Sequence, residues 1–214
     1  IWGNPMVVMR FDAFGFKDNT FDDDGIKHLL VGGNGDVGLS VHYYPNGKIL
    51  VAGRSVSATS TNRGFLAAFN EDGSSYSMFT SGSTVVQDPG YFHSLEVQSD
   101  GKILVLAGVT SLYSVFRYNA DGTLDPTFSD DGKAYENSPA GTGLYGTVAD
   151  LTPNGDIIIG ATQGPGADND IEFLKLHSSI AVSITESNTV DFNIYPNPTS
   201  EASIIIFKKG ATFS

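Results

Sequence analysis

Apolar and polar residues alternate in short runs along this chain, and the runs return at a fixed interval. The plainest run is Pro45-Asn46-Gly47-Lys48-Ile49-Leu50-Val51-Ala52-Gly53. It comes back as Ser99-Asp100-Gly101-Lys102-Ile103-Leu104-Val105-Leu106-Ala107-Gly108, and again as Pro153-Asn154-Gly155-Asp156-Ile157-Ile158-Ile159-Gly160. The turn glycines Gly47, Gly101 and Gly155 stand 54 and again 54 residues apart. A fixed period of tens of residues marks a repeat architecture.

Before each turn the pattern has period two. In Leu39–Tyr44, His93–Gln98 and Thr147–Thr152 one set of alternate positions is apolar: Val41/Leu95/Ala149, then Tyr43/Val97/Leu151. The position between is polar, His42/Glu96/Asp150. Such alternation predicts a half-buried strand. Pro-Asn-Gly and Ser-Asp-Gly predict tight turns, because Asn, Asp and Gly tolerate the positive φ that hairpins need. Ile-Leu-Val then predicts a strand covered on both faces, closed by Gly53, Gly108 and Gly160. A third strand is expected at Gly64–Phe69 and Ser114–Tyr118, with a shorter fourth segment around Tyr76–Phe79 and Thr123–Phe128. No segment keeps a helical period over about 11 residues. Three or four short antiparallel strands per repeat is the size of one β-propeller blade. The expected class is all-β.

A second set of copies supports the period. Val7–Gly25 aligns without a gap on Ser114–Gly132, which places Arg10 over Arg117, Gly15 over Gly122, Phe21 over Phe128 and Gly25 over Gly132. A third copy runs from Phe65 through Asn70-Glu71-Asp72-Gly73 to Phe79 and lacks the acidic tail. Phe173-Leu174-Lys175-Leu176-His177 begins a fourth. On this pattern the chain opens inside a strand, at the end of one repeat, as a fragment would.

Tyr118-Asn119-Ala120-Asp121-Gly122-Thr123-Leu124-Asp125-Pro126-Thr127-Phe128, running on to Asp131-Gly132, together with the Pro45–Gly53 run, resembles the delta-60 repeat, a propeller-forming family. The resemblance covers residues 7 to 177 and implies about three blades. It further implies a large bacterial secreted or surface protein. The chain departs from the pattern where Ser74-Ser75-Tyr76-Ser77 replaces Thr-Leu-Asp-Pro, which predicts an altered edge strand in that blade.

The character changes after His177. Residues 178–189 read as a polar linker, and 190–214 as a truncated second domain. There Val190–Ile194 leads into Tyr195-Pro196-Asn197-Pro198, and the alternating run Ala202–Phe207 follows. Two prolines around Asn force an extended corner between strands. Tyr195, Pro196, Asn197 and Pro198 resemble the opening of the C-terminal sorting domain of the type IX secretion system. The resemblance implies the first strands of a β-sandwich, the secretion machinery as partner, and a place outside a Gram-negative cell or on its outer membrane.

Composition narrows the function. A net charge of −12 argues against nucleic acid, whose phosphates need Lys and Arg. With no cysteine there is neither a disulfide framework nor a thiolate metal site. No apolar run approaches the ~20 residues that span a bilayer. Asp22-Asp23-Asp24 and Asp130-Asp131 are the only acidic clusters. They read as solvated turn caps, with Ca²⁺ as the ion such oxygens would take. No other cofactor is indicated. Gly32–Gly38 reads as a long inter-strand loop, and His28, His42, His93 and His177 are scattered. Glu96 and Asp150 share a repeat position, so in a propeller they lie on neighbouring blades. Tyr43, Tyr44, Tyr91, Phe92, Tyr113 and Tyr145 sit at strand edges, where rings either fill the core or stack on a ligand. The sequence favours a secreted, non-enzymatic binding module for a glycan or protein. The alternatives are the propeller part of an extracellular polysaccharide-degrading enzyme, and a structural spacer.

Overall fold

A computed structural model of the chain describes residues 3–32, 34–44, 46–57, 59–87, 90–109, 112–137, 144–153, 155–163, 171–176, 192–194 and 205–207. All regular elements among them are strands. β1 (Met6–Met9) and β2 (Ile26–Leu29) pair as an antiparallel ribbon. Then comes a four-stranded meander of β3 (Gly35–Tyr44), β4 (Lys48–Val56), β5 (Asn62–Phe69) and β6 (Thr84–Gln87), the first blade. The second blade is β7 (Tyr91–Val97), β8 (Ile103–Val109), β9 (Leu112–Tyr118) and β10 (Lys133–Asn137). The third holds β11 (Leu144–Leu151), β12 (Ile157–Gln163) and β13 (Ile171–Leu176). β14 (Phe192–Ile194) pairs with β15 (Ile205–Phe207).

The repeated run forms the turn and second strand of each blade. Gly47, Gly101 and Gly155 carry φ of 79°, 84° and 82°, the left-handed region that costs glycine least. In the first two blades the apolar strand that follows is covered on both sides, as the unbroken run predicts. Leu50 and Ala52 lie in the core shared with the second blade, while Ile49 and Val51 face the core shared with β1 and β2. Leu104, Leu106 and Val115 meet Ile157 and Ile159 across the next boundary. The hydrophobic core therefore sits between sheets. Each fully buried Leu, Ile or Phe there contributes about 1.5–3 kcal/mol relative to exposure.

Three expectations need correction. The fourth strands are not at Tyr76–Phe79 and Thr123–Phe128. They begin later, at Thr84 and Lys133, because the Asn-x-Asp-Gly stretch is held as a compact turn. Asp121 Oδ1 accepts from Thr123 N and Oγ1, and Asp125 Oδ1 accepts from Thr127 N and Oγ1. Tyr76–Ser77 in place of Asp-Pro does not shift the edge strand, since β6 pairs Thr84 with Ala67 just as β10 pairs Lys133 with Phe116 at the same repeat position. Finally, β3 starts at Gly35, inside the glycine-rich stretch read as loop. There Asp36 is buried and accepts from the backbone N–H of Val31 and Gly32.

The connections between third and fourth strands also join the sheets. Arg10 N, Ala68 N and Arg117 N donate to Gly25 O, Ser83 O and Gly132 O at 3.2, 2.9 and 2.9 Å, so all three copies share one backbone frame. From this frame Asp22 N reaches Asp72 O at 2.7 Å, and Thr80 N reaches Asp121 O at 2.8 Å. The preceding phenyl rings, Phe21 and Phe79, lie on Gly73 and Gly122 of the next copy. Glycine is required at Gly122, where an added Cβ would sit 2.7 Å from Phe79 Cδ1.

Candidate functional site

The first strands of the three blades, β3, β7 and β11, lie side by side. Each carries a bulge at the same repeat position, between Gly38 and Ser40, Phe92 and Ser94, and Tyr145 and Val148. A bulge re-aims the side chains beyond it. Here Ser40 Oγ accepts from Leu95 N at 3.2 Å, and Ser94 Oγ donates to Ala149 O at 3.2 Å. Tyr44 Oη adds a hydrogen bond to Gly101 O at 2.9 Å. Neighbouring first strands are thus tied at fixed offset.

That tie aligns His42, Glu96 and Asp150 across three sheets. His42 Nδ1 lies 3.8 Å from Glu96 Oε2, too long for a good hydrogen bond. Burial pushes the Glu96 carboxyl above its ordinary range, and the Asp150 charge adds to this. Burial pulls the His42 imidazole down. Both shifts favour the neutral forms, so desolvation outweighs pairing at this separation. Glu96 and Ser94 line a small recess against Leu104, Leu106, Ala149 and Ile157. Asp150 does not line it; it is exposed, and its Oδ1 accepts from Leu151 N at 2.8 Å. Among the described residues Glu96 and Asp150 thus do not line one recess together.

The period-two reading of β3 is half right. Val41 and Tyr43 are 65% and 59% exposed, whereas Leu95, at the repeat position of Val41, is 2% exposed. Leu95 packs on the first blade; on the corresponding side of β3, Met6 of β1 reaches Gly38 but leaves Val41 and Tyr43 exposed. Among the other rings, Tyr44 and Phe92 fill the core and Tyr91 is half-buried. The side chains of Tyr113 and Tyr145 lie outside the described residues.

The acidic clusters serve their own turns. Asp22 and Asp23 have φ of 47° and 68°, Ser129 and Asp130 of 49° and 66°. Asp22 Oδ1 pairs with Lys27 Nζ at 2.9 Å, and Asp24 and Asp131 accept from Ile26 N and Lys133 N. Among the described residues no three His, Asp or Glu side chains are gathered for a metal ion. Tyr195, Pro196, Asn197 and Pro198 lie outside the described residues.

Sequence reading missed a second constellation, at the opposite end of the strands from the Asn-Gly turns. The Arg54 guanidinium lies 5.3 Å from the centroid of the Tyr91 ring on the next blade. Tyr91 Oη accepts from Asn62 Nδ2 at 2.9 Å, and the Tyr91 and His93 rings are 5.7 Å apart. Beside Asn62, the Ser57 and Thr59 hydroxyls are 2.9 Å apart, and Thr61 continues the chain at 3.3 Å. The signal was present as a break in the repeat. At the 54-residue interval Gly108 and Thr162 stand where the first blade has Arg54.

Stacked antiparallel meanders tied at their first strands define the class, a partial β-propeller in an all-β chain. Residues 45–75 and 98–128 match a family described as "Domain of unknown function (DUF5122) beta-propeller". Among solved structures, the chain is similar to a protein of unknown function from Bacteroides caccae, at 13% identity and a TM-score of 0.45. That likeness covers 88% of this chain and 60% of the other. No curated protein matches.

Proposed function

We propose that the chain is a non-enzymatic binding module that works outside the cell and takes a glycan or protein ligand. The observation that carries this reading is an asymmetry between the two ends of the blades. At the Asn-Gly end the long connections 70–83 and 119–132 have equal length and share one backbone frame. At the other end the connections between second and third strands differ, spanning 57–61, 110–111 and 164–170. A constant frame carrying variable loops is how binding surfaces are built on a scaffold. Arg54, Tyr91, Asn62 and the Ser57–Thr61 hydroxyls belong to that variable end.

The resemblance at Tyr195–Pro198 supports export by the type IX machinery to the surface of a Gram-negative cell. Protease treatment of intact cells that removes the protein supports this placement; full protection overturns it. The binding test is an array of glycans and extracellular proteins probed with the chain, in calcium and in chelator. Saturable binding to one class supports the module. Loss on chelation, together with loss of the calcium effect in Asp23→Asn and Asp130→Asn, would support Ca²⁺ at the Asp22–Asp24 and Asp130–Asp131 turns. Turnover of a bound polysaccharide would favour the enzyme instead, and silence across the array the spacer.

A further inference from the structure

Along β4 the side chains facing the second blade are Leu50, Ala52 and then Arg54. The first two are fully buried in the core between blades, and the third brings a cation to its rim. We propose that Arg54, set over the Tyr91 ring that Asn62 anchors, is a carboxylate subsite for an acidic saccharide. The inference rests on the binding-module reading and names its ligand class.

Charge is the first argument. The chain carries 24 acids against 12 Lys and Arg. Several described cations pair with internal acids: Arg10 with Asp18, Lys27 with Asp22, Lys102 with Asp100 and Asp125, and Arg117 with Asp125. Among the described residues Arg54 has no carboxylate partner. The buried acid on the neighbouring strand, Asp36, already accepts from two backbone N–H groups, and its cross-strand partner is Ser55. A half-buried guanidinium with no anion beside it among the described residues is suited to an external one.

Geometry is the second argument. A guanidinium placed over a ring face by cation–π attraction still has N–H groups to offer a carboxylate as a bidentate fork. The ring is fixed from two sides, by Asn62 Nδ2 at 2.9 Å and by the tilted His93 ring. The fork is therefore preorganised and loses little entropy on binding. The third argument selects a saccharide over a peptide carboxylate. Ser57, Thr59 and Thr61 form an exposed chain of hydroxyls that leads away from Asn62. Exposed hydroxyls next to Asn62 offer donors and acceptors to sugar hydroxyls.

The test is calorimetric titration of the chain with a galacturonate trisaccharide and, in parallel, with the neutral galactose trisaccharide. The acidic probe should bind at least about tenfold tighter, as a charged hydrogen-bonded contact requires, and should weaken with added salt. Arg54→Met should remove that preference at unchanged melting temperature, and Arg54→Lys should keep part of it. If Arg54→Met melts early, the wild-type chain decides: the Asn62 side-chain amide resonance should shift on adding the acidic probe. Equal affinity for the two sugars, an unaffected Arg54→Met, or an unshifted Asn62 resonance overturns the subsite. An array ligand whose resonance shifts map elsewhere would overturn it too, while leaving the binding module standing.

Discussion

Arg117 Nε donates to Asp125 Oδ2 across 2.7 Å, and the contact recurs in the first copy, where Arg10 Nε lies 2.9 Å from Asp18 Oδ2. In both copies the guanidinium also covers a phenyl ring, Phe128 at 4.7 Å and Phe21 at 5.2 Å. Lys102 Nζ adds a second cation to Asp125 Oδ2, at 2.8 Å. The middle copy has Ala68 and Tyr76 in place of the arginine and the acid. Its lysine, Lys48, instead lies 4.3 Å from the centre of the Tyr76 ring. One backbone frame is thus held by an ion pair in two copies and by a cation over a ring in the third.

Asp125 is 2% exposed, so removing it strands two cations near the core. Asp125→Ala should cost about 3 kcal/mol near neutral pH, the scale for breaking a buried pair. Burial alone would raise the Asp125 carboxyl. Hydrogen bonds from Lys102 and Thr127 and the Arg117 charge outweigh burial and hold it well below the usual range. A depressed folded value gives stability that is complete above the unfolded value near 3.9 and fades as pH falls through the folded one. Denaturant midpoints should therefore separate wild type from variant at pH 7 and converge below about pH 4. A constant gap down to the lowest pH would refute the assignment.

Two glycines at the same repeat position should respond differently to alanine. Gly15 and Gly122 have φ of 84° and 80°, so both variants carry backbone strain. An added Cβ meets nothing within 4 Å at Gly15. At Gly122 it would meet Phe79 Cδ1 and Val85 Cγ2 at 2.7 Å. Gly15→Ala should cost about 1 kcal/mol. Gly122→Ala should cost about 3 kcal/mol, because overpacking adds to the same strain. Equal losses in urea titrations would mean that the Phe79 contact has no energetic weight.

Glu96→Gln should stabilise the chain at high pH. Burial, then the Asp150 charge, raises the Glu96 carboxyl. A raised folded value gives stability that is complete below the unfolded value near 4.3 and is lost as pH rises through the folded one. Glutamine escapes that loss, so its melting temperature should exceed wild type at pH 8 and match it near pH 3. A variant less stable than wild type at pH 8 would show that the carboxylate is paired after all.

What the sequence made legible was whatever the period repeats. Gly47, Gly101 and Gly155, and the apolar strands after them, needed no knowledge of neighbours, because an unbroken apolar run after a tight turn reads as a strand whichever sheet lies opposite. The fourth strands were misplaced because Leu124, Phe128, Tyr76 and Phe79 look like strand residues. In fact Phe128 and Phe79 anchor a turn, one beneath a guanidinium and one against a glycine of the next copy. Alternation along β3 was visible, but burial depends on which sheet lies opposite, and Val41 and Tyr43 face none among the described residues. Arg54 escaped notice for a related reason. Its partner Tyr91 lies on another blade, and comparing copies directs attention to what they share.

Among the described residues the contacts between successive long turns run one way. Asp22 donates to Asp72 and Phe21 covers Gly73; Thr80 donates to Asp121 and Phe79 covers Gly122. In each case the earlier copy supplies the donor and the ring, and the later copy supplies the acceptor and the glycine. The array therefore has a polarity, like a stack of cups with a rim on one side and a seat on the other. A chain emerging from the ribosome presents each finished rim before the next seat is made. Growth can then proceed by templated addition at one end, and two copies cannot meet rim to rim.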